Sequence, residues 1–241
     1  MLKWLTVFTA IVSLNAYSQS TDYSVAGVEY EGFYLSAGEN TPLVIMVHDW
    51  DGLTQYEKTR AAMLQEQGYS VFAVDLYGKG VRPESVEDKR AQTSALYQDR
   101  EKMRDLMSAS ISHASSLGGN RDNAAVVGYC FGGSVTLEMA RAGIPMKSFV
   151  SFHGGLATPD DQSYKDTKGE VFVFHGTADK VVPMSDFASL AEQLETAGVE
   201  HEMATYSGAP HAFTVLGSSK YHEKADKKSW QRFSEYLKET F

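Results

Sequence analysis

The sequence predicts an α/β fold: a mostly parallel central sheet with helices on both faces. Three observations predict it. Short apolar runs alternate with amphipathic segments along the chain. Several runs are nearly continuous in apolar residues, as strands buried on both faces must be. The run 124–127 leads through Gly128-Tyr129-Cys130-Phe131-Gly132-Gly133 into the amphipathic segment 134–142, which reads as strand, sharp turn, helix.

Taken in order, strands are expected at 28–35, 43–48, 70–75, 124–129, 147–152, 170–175 and 201–206. Helices are expected near 56–67, 86–117, 132–142, 184–197 and 224–238. Phe187, Leu190, Ala191 and Leu194 recur at helical spacing, as do Trp230, Phe233 and Leu237, and both stripes read as core packing. In the long helix, Met103, Leu106, Met107, Ile111 and Ala114 share a face, whereas 83–97 is polar and less periodic. That polar half is either a lid over a pocket or a solvated helix start. The chain contains no repeat, low-complexity segment or interdomain linker.

Gly-Tyr-Cys-Phe-Gly in this setting is a nucleophile elbow with Cys130 at its tip. Gly128 and Gly132 remove the Cβ atoms that would clash where strand meets helix. The following helix N-terminus favours thiolate over thiol. A lone cysteine after a strand is otherwise a small core residue, so its partners decide the reading. The expected strand 170–175 runs into Gly176-Thr177-Ala178-Asp179, and 201–206 is followed by Pro210-His211. The chain order Cys130, Asp179, His211 is nucleophile, acid, base, the order of the α/β-hydrolase fold. His211 is then the base that takes the thiol proton, and Asp179 fixes its tautomer.

Oxyanion donors are expected from the backbone N–H groups of Phe131 and Trp50, the latter in the loop after strand 43–48. Asp49 in the same loop is expected to reach the rim and restrain the thiol or the substrate. Tyr77 and Lys79 occupy a loop at the same sheet edge, where open α/β sheets bind ligands. His153 is either a substrate contact or a hydrogen-bonded structural residue. His48 and His175 are expected to hydrogen-bond near strand ends, and His113, His201 and His222 have no functional case.

The motifs His48-Asp49-Trp50-Asp51-Gly52, Asp75-Leu76-Tyr77-Gly78, Gly128 to Gly133, Phe152-His153-Gly154-Gly155, His175 to Asp179 and Pro210-His211-Ala212-Phe213 together resemble the dienelactone hydrolase family. The likeness runs from about Gly27 to the C-terminus. It implies an α/β-hydrolase fold and hydrolysis of a carboxylic ester or lactone by a Cys-His-Asp triad. Three positions depart from the family pattern. Asp49 stands where many members have Glu, and Lys79 and Val215 stand where members that hydrolyse dienelactone have Arg. Val215 offers no donor to a substrate carboxylate, so neutral or weakly anionic substrates are expected.

Residues 1–18 read as a secretory signal peptide: Lys3, an apolar stretch over 4–14, then Ala16 and Ser18 at small-residue cleavage positions. The apolar stretch is too short to span a bilayer. The expected product is an exported protein, periplasmic or secreted, with one domain over 19–241 and no stable membrane anchor. A net charge of −9 argues against nucleic acid and anionic membranes as partners. A single cysteine excludes an intramolecular disulfide and leaves a free thiol. No zinc-type spacing, Walker motif or dinucleotide fingerprint occurs, so no metal or cofactor is expected. The function expected is hydrolysis of a small ester, thioester or lactone through an acyl-enzyme. The alternatives are a peptidase or acyltransferase on the same fold, or a binding protein that keeps the pocket without turnover.

Overall fold

Apolar runs that must bury both faces dictate a sheet covered on each side, and the computed structural model, which describes residues 18–241, has that form. In chain order the elements are β1 (Ser18–Val25), β2 (Val28–Leu35), β3 (Pro42–Val47), α1 (Gln55–Gln65), β4 (Ser70–Ala73), α2 (Val86–Gln98) and α3 (Arg100–Ser116). There follow β5 (Asn120–Tyr129), α4 (Phe131–Arg141), β6 (Ser148–Phe152), β7 (Glu170–Gly176), α5 (Met184–Ala197), β8 (His201–Tyr206) and α6 (Glu223–Thr240). Among the described residues, eight strands form one sheet in the order β1-β2-β4-β3-β5-β6-β7-β8. Strands β3 to β8 run parallel, while β1 and β2 are antiparallel additions at one edge.

Alternation along β3 shows how the core divides. Leu43, Ile45 and Val47 join the layer under α3, α4 and α5, with Met107, Val135 and Leu190. Val44 and Met46 join the layer under α1 and α6, with Leu64, Phe174 and Phe233. Each fully buried side chain of this size contributes roughly 1.5–3 kcal/mol.

Two features differ from the sequence expectation. Strand β1 was not expected, because Ser-Gln-Ser-Thr-Asp-Tyr-Ser-Val carries little apolar signal. It forms as an edge strand, turned back through Ala26 and Gly27, both at positive φ. Tyr23 anchors it by stacking on His113 at 4.9 Å and donating to the Asp75 carbonyl. The expected single helix 86–117 is broken at Asp99. The Asp99 N–H closes α2 onto the Ala95 carbonyl, and its carboxylate accepts the Lys102 N–H to start α3. Asp inside a helix competes for backbone groups in this way. The expected leader lies outside the described residues except for Ser18, the first residue of β1.

Candidate active site

The carboxyl end of β5 is built from glycines under backbone contact. A Cβ on Gly128 would lie 2.0 Å from the Gly132 carbonyl oxygen, and one on Gly132 would lie 2.4 Å from the Val47 oxygen. Only glycine permits strand, turn and helix to approach so closely. Between them Cys130 takes φ 50° and ψ −109°, a strained conformation for a side-chain-bearing residue. Its N–H donates to the Phe152 carbonyl at 3.0 Å and faces His153 Nδ1 at 3.2 Å.

The structure brings Cys130, His211 and Asp179 together. His211 Nε2 lies 3.1 Å from Cys130 Sγ, and His211 Nδ1 lies 2.8 Å from Asp179 Oδ2. The other Asp179 oxygen accepts the N–H groups of Val181 and Val182 at 2.8 and 2.9 Å. Burial pushes the Asp179 carboxyl up, but the hydrogen bonds from His211 and these amides outweigh it and hold the group below its ordinary value. Gly176 lets the two loops meet, since a Cβ there would touch the Ala209 oxygen at 2.2 Å.

The thiol environment reverses the expected helix-terminus effect. Burial, followed by the nearby Asp49 carboxylate, pushes the Cys130 thiol well above its ordinary value; the Phe131 N–H opposes this and is outweighed. Asp49 is itself raised to about 6 by burial and by Asp51. Its Oδ1 accepts the Trp50 N–H at 2.5 Å. Beneath it Glu57 is fully buried, accepts from the Asp49 and Thr54 N–H groups, and is raised to about 7, chiefly by burial.

The remaining expected residues separate. Tyr77 stays beside the thiol: its hydroxyl donates to the Trp50 carbonyl at 3.1 Å, and its ring lies 5.8 Å from that of Phe131. Lys79 does not face the site. It is exposed and ion-paired with Asp22, because β1 brings that carboxylate alongside. His153 is fully buried, with Nδ1 accepting the Cys130 N–H at 3.2 Å and Nε2 2.7 Å from Thr214 Oγ1, the arrangement expected of a hydrogen-bonded structural histidine. Burial, with His211 nearby, pushes it well below the ordinary histidine value and keeps it neutral. His48 bridges β3 and β4, accepting the Leu76 N–H on Nε2 and donating from Nδ1 to the Asp49 carbonyl. His175 is tied to the Val182 carbonyl at 3.1 Å.

Three groups escaped the sequence reading. Tyr97 of α2 sets its ring edge-on to Phe131 at 5.5 Å, so the polar segment does lie against the site. Lys89 of the same helix covers the Trp50 ring at 5.3 Å and reaches Asp51 at 3.8 Å. Glu57 had a signal in the sequence, since Thr54-x-x-Glu57 is a capping box, and both of its reciprocal bonds form.

Comparison with known proteins agrees with this architecture. The sequence profile of the dienelactone hydrolase family matches residues 32–241. A Salmonella typhimurium protein named "Putative carboxymethylenebutenolidase" is 27% identical over 209 residues, covering 81% of this chain and 76% of its own. A dienelactone hydrolase-like promiscuous phosphotriesterase, P91 from metagenomic libraries, superposes with a TM-score of 0.86 at 24% identity, covering 94% of this chain and 100% of its own. The solved protein m3DLH gives the same TM-score at 26% identity, covering 93% of this chain and 98% of its own. The chain belongs to the dienelactone hydrolase family and is an ester or lactone hydrolase of α/β-hydrolase fold.

Proposed function

We propose that Cys130, His211 and Asp179 hydrolyse the substrate through an acyl-enzyme. The observation that carries this is the pair of contacts at 3.1 and 2.8 Å that line up thiol, imidazole and carboxylate. Cys130 Sγ gives its proton to His211 Nε2 and bonds to the carbonyl carbon. The carbonyl π electrons move to oxygen, which the Phe131 and Trp50 N–H groups stabilise. As the tetrahedral species collapses, His211 returns the proton to the leaving oxygen. Water, deprotonated by His211, then cleaves the thioester and restores the thiol. Asp179 stabilises the imidazolium at both stages.

Asp49 tunes this sequence. Its carboxylate keeps the resting thiol protonated and occupies the Trp50 N–H until a substrate carbonyl takes its place. The substrate is a small ester, thioester or lactone. Export is part of the proposal and rests on the leader-like sequence of residues 1–18.

The test is Cys130→Ala with a 4-nitrophenyl ester. Turnover should fall by roughly 10⁴-fold or more while the fold is kept. Rapid-quench mass spectrometry of the wild type should find the acyl mass on the peptide carrying Cys130. Near-wild-type turnover by the alanine variant removes the nucleophile from this scheme.

A further inference from the structure

Cys130 divides the carboxyl edge of the sheet into two flanks. On one, β7 and β8 lead to Asp179 and His211; on the other, β3 and β4 lead to Trp50, Tyr77 and, through α2, Tyr97. In the reaction proposed above, the leaving oxygen receives its proton from His211 Nε2, so the leaving group lies on the β7–β8 flank. The acyl part is the other substituent of the same carbonyl carbon. With the carbonyl oxygen held by the Phe131 and Trp50 N–H groups, the acyl part lies away from His211, where Tyr77 and Tyr97 meet Phe131 at the elbow.

The β3–β4 flank is aromatic. Tyr77 and Tyr97 both pack on Phe131, at 5.8 and 5.5 Å between ring centroids, and Tyr97 keeps 36% of its surface exposed. Asp49 and Asp51 both act on the thiol from this side, while Arg100, over the Tyr97 ring at 5.6 Å, is ion-paired with the buried Glu138 at 2.8 Å. The nearby Lys89 is engaged with Asp51 and the Trp50 ring. An arriving ring finds a partner there, whereas an arriving carboxylate finds repulsion.

We propose that the enzyme selects uncharged esters or lactones whose acyl part carries an apolar ring, seated against Tyr97 and Tyr77. This rests on Cys130 as nucleophile and His211 as acid. It goes beyond that reading by assigning the acyl side of the pocket and Tyr97 as a specificity residue.

The test uses the full-length protein and three 4-nitrophenyl esters: acetate, phenylacetate and 4-carboxyphenylacetate. The leaving group is constant, so differences report the acyl side. Phenylacetate should exceed both others in kcat/KM by about tenfold or more. Tyr97→Ala should narrow the phenylacetate-to-acetate ratio to within about threefold, and Tyr97→Phe should preserve it. Acetate matching phenylacetate, the carboxylate ester matching the neutral one, or an unchanged ratio in Tyr97→Ala overturns the inference while leaving the nucleophile in place. No turnover of any ester, with Cys130 unreactive to iodoacetamide, removes the underlying reading and the inference with it.

Discussion

The carboxylate of Asp49 sits on the backbone N–H of Trp50, its own neighbour, at 2.5 Å. The same carboxylate is the charge that most raises the Cys130 thiol. One short side chain thus adds to the burial that disfavours a Cys130 thiolate and covers an amide proposed to stabilise the oxyanion.

Asp49→Asn keeps an acceptor for the Trp50 N–H and removes the charge. Cys130 should then alkylate faster with iodoacetamide near neutral pH, by roughly tenfold for each unit the thiol falls. Asp49 titrates at about 6, so the charge it exerts in the wild type disappears below that pH. The rate advantage should therefore shrink as pH falls through 6. Equal rates at pH 8 would make Asp49 a turn residue only.

Glu57 should shape the pH dependence of stability. Its folded value, about 7, lies above the ordinary carboxylate value, so the native state holds the proton more tightly than the unfolded chain. The sign follows: this contribution is fully present below the unfolded value and is lost as pH rises through 7. Glu57→Gln should flatten the decline in urea midpoint between pH 5 and 8. A parallel decline in both proteins would count against it.

Asp179→Asn should preserve the fold and lower kcat on the order of 10³–10⁴-fold, because the amide no longer favours the required imidazole tautomer. Circular dichroism and ester turnover measured on the same sample would decide it. A loss below about tenfold would show that Asp179 holds its loop but not the base.

Arg60 and Asp226 form a buried pair at 2.5 Å under the site, with Arg60 also donating to the Thr214 carbonyl. Removing one partner strands the other charge. Asp226→Ala should cost about 3–5 kcal/mol in urea unfolding. A cost below about 1 kcal/mol would mean that water reaches Arg60.

If residues 1–18 act as a leader, protein from the native host should begin at Gln19 or within a few residues of it. A cut after Ser18 would remove one residue of β1 and leave the pairing of Gln19 with Tyr34 onward. Intact Met1 in a cytoplasmic fraction, found by mass spectrometry, would end this proposal.

The parallel strands were legible because burial on both faces writes continuous apolar runs, as in Val171 to Phe174. Cys130 and Asp179 were legible because each follows such a run or its turn, and His211 because Pro210-His211 follows the turn after the mixed edge strand β8. Strand β1 was silent, since an edge strand held by Tyr23 needs few apolar residues. Asp99 was read through, because a helix break capped by its own side chain leaves the flanking periodicity intact. Tyr97 was hidden because α2 buries only Leu96, so no stripe marks which way the helix faces. The fate of Lys79 depended on Asp22 and could not be read without β1.

The contrast between the elbow and α2 bears on how this scaffold can diversify. Around Cys130 the backbone itself fills the space, and a single methyl at Gly128 or Gly132 collides with main-chain atoms. Helix α2 sets Tyr97 against Phe131 of the same elbow while committing one side chain to the core. Sequence change is therefore nearly forbidden at the elbow and far less constrained along the helix proposed to sort substrates. A library confined to α2 should alter selectivity without re-solving the chemistry, and lineages that share the elbow should differ most in that helix.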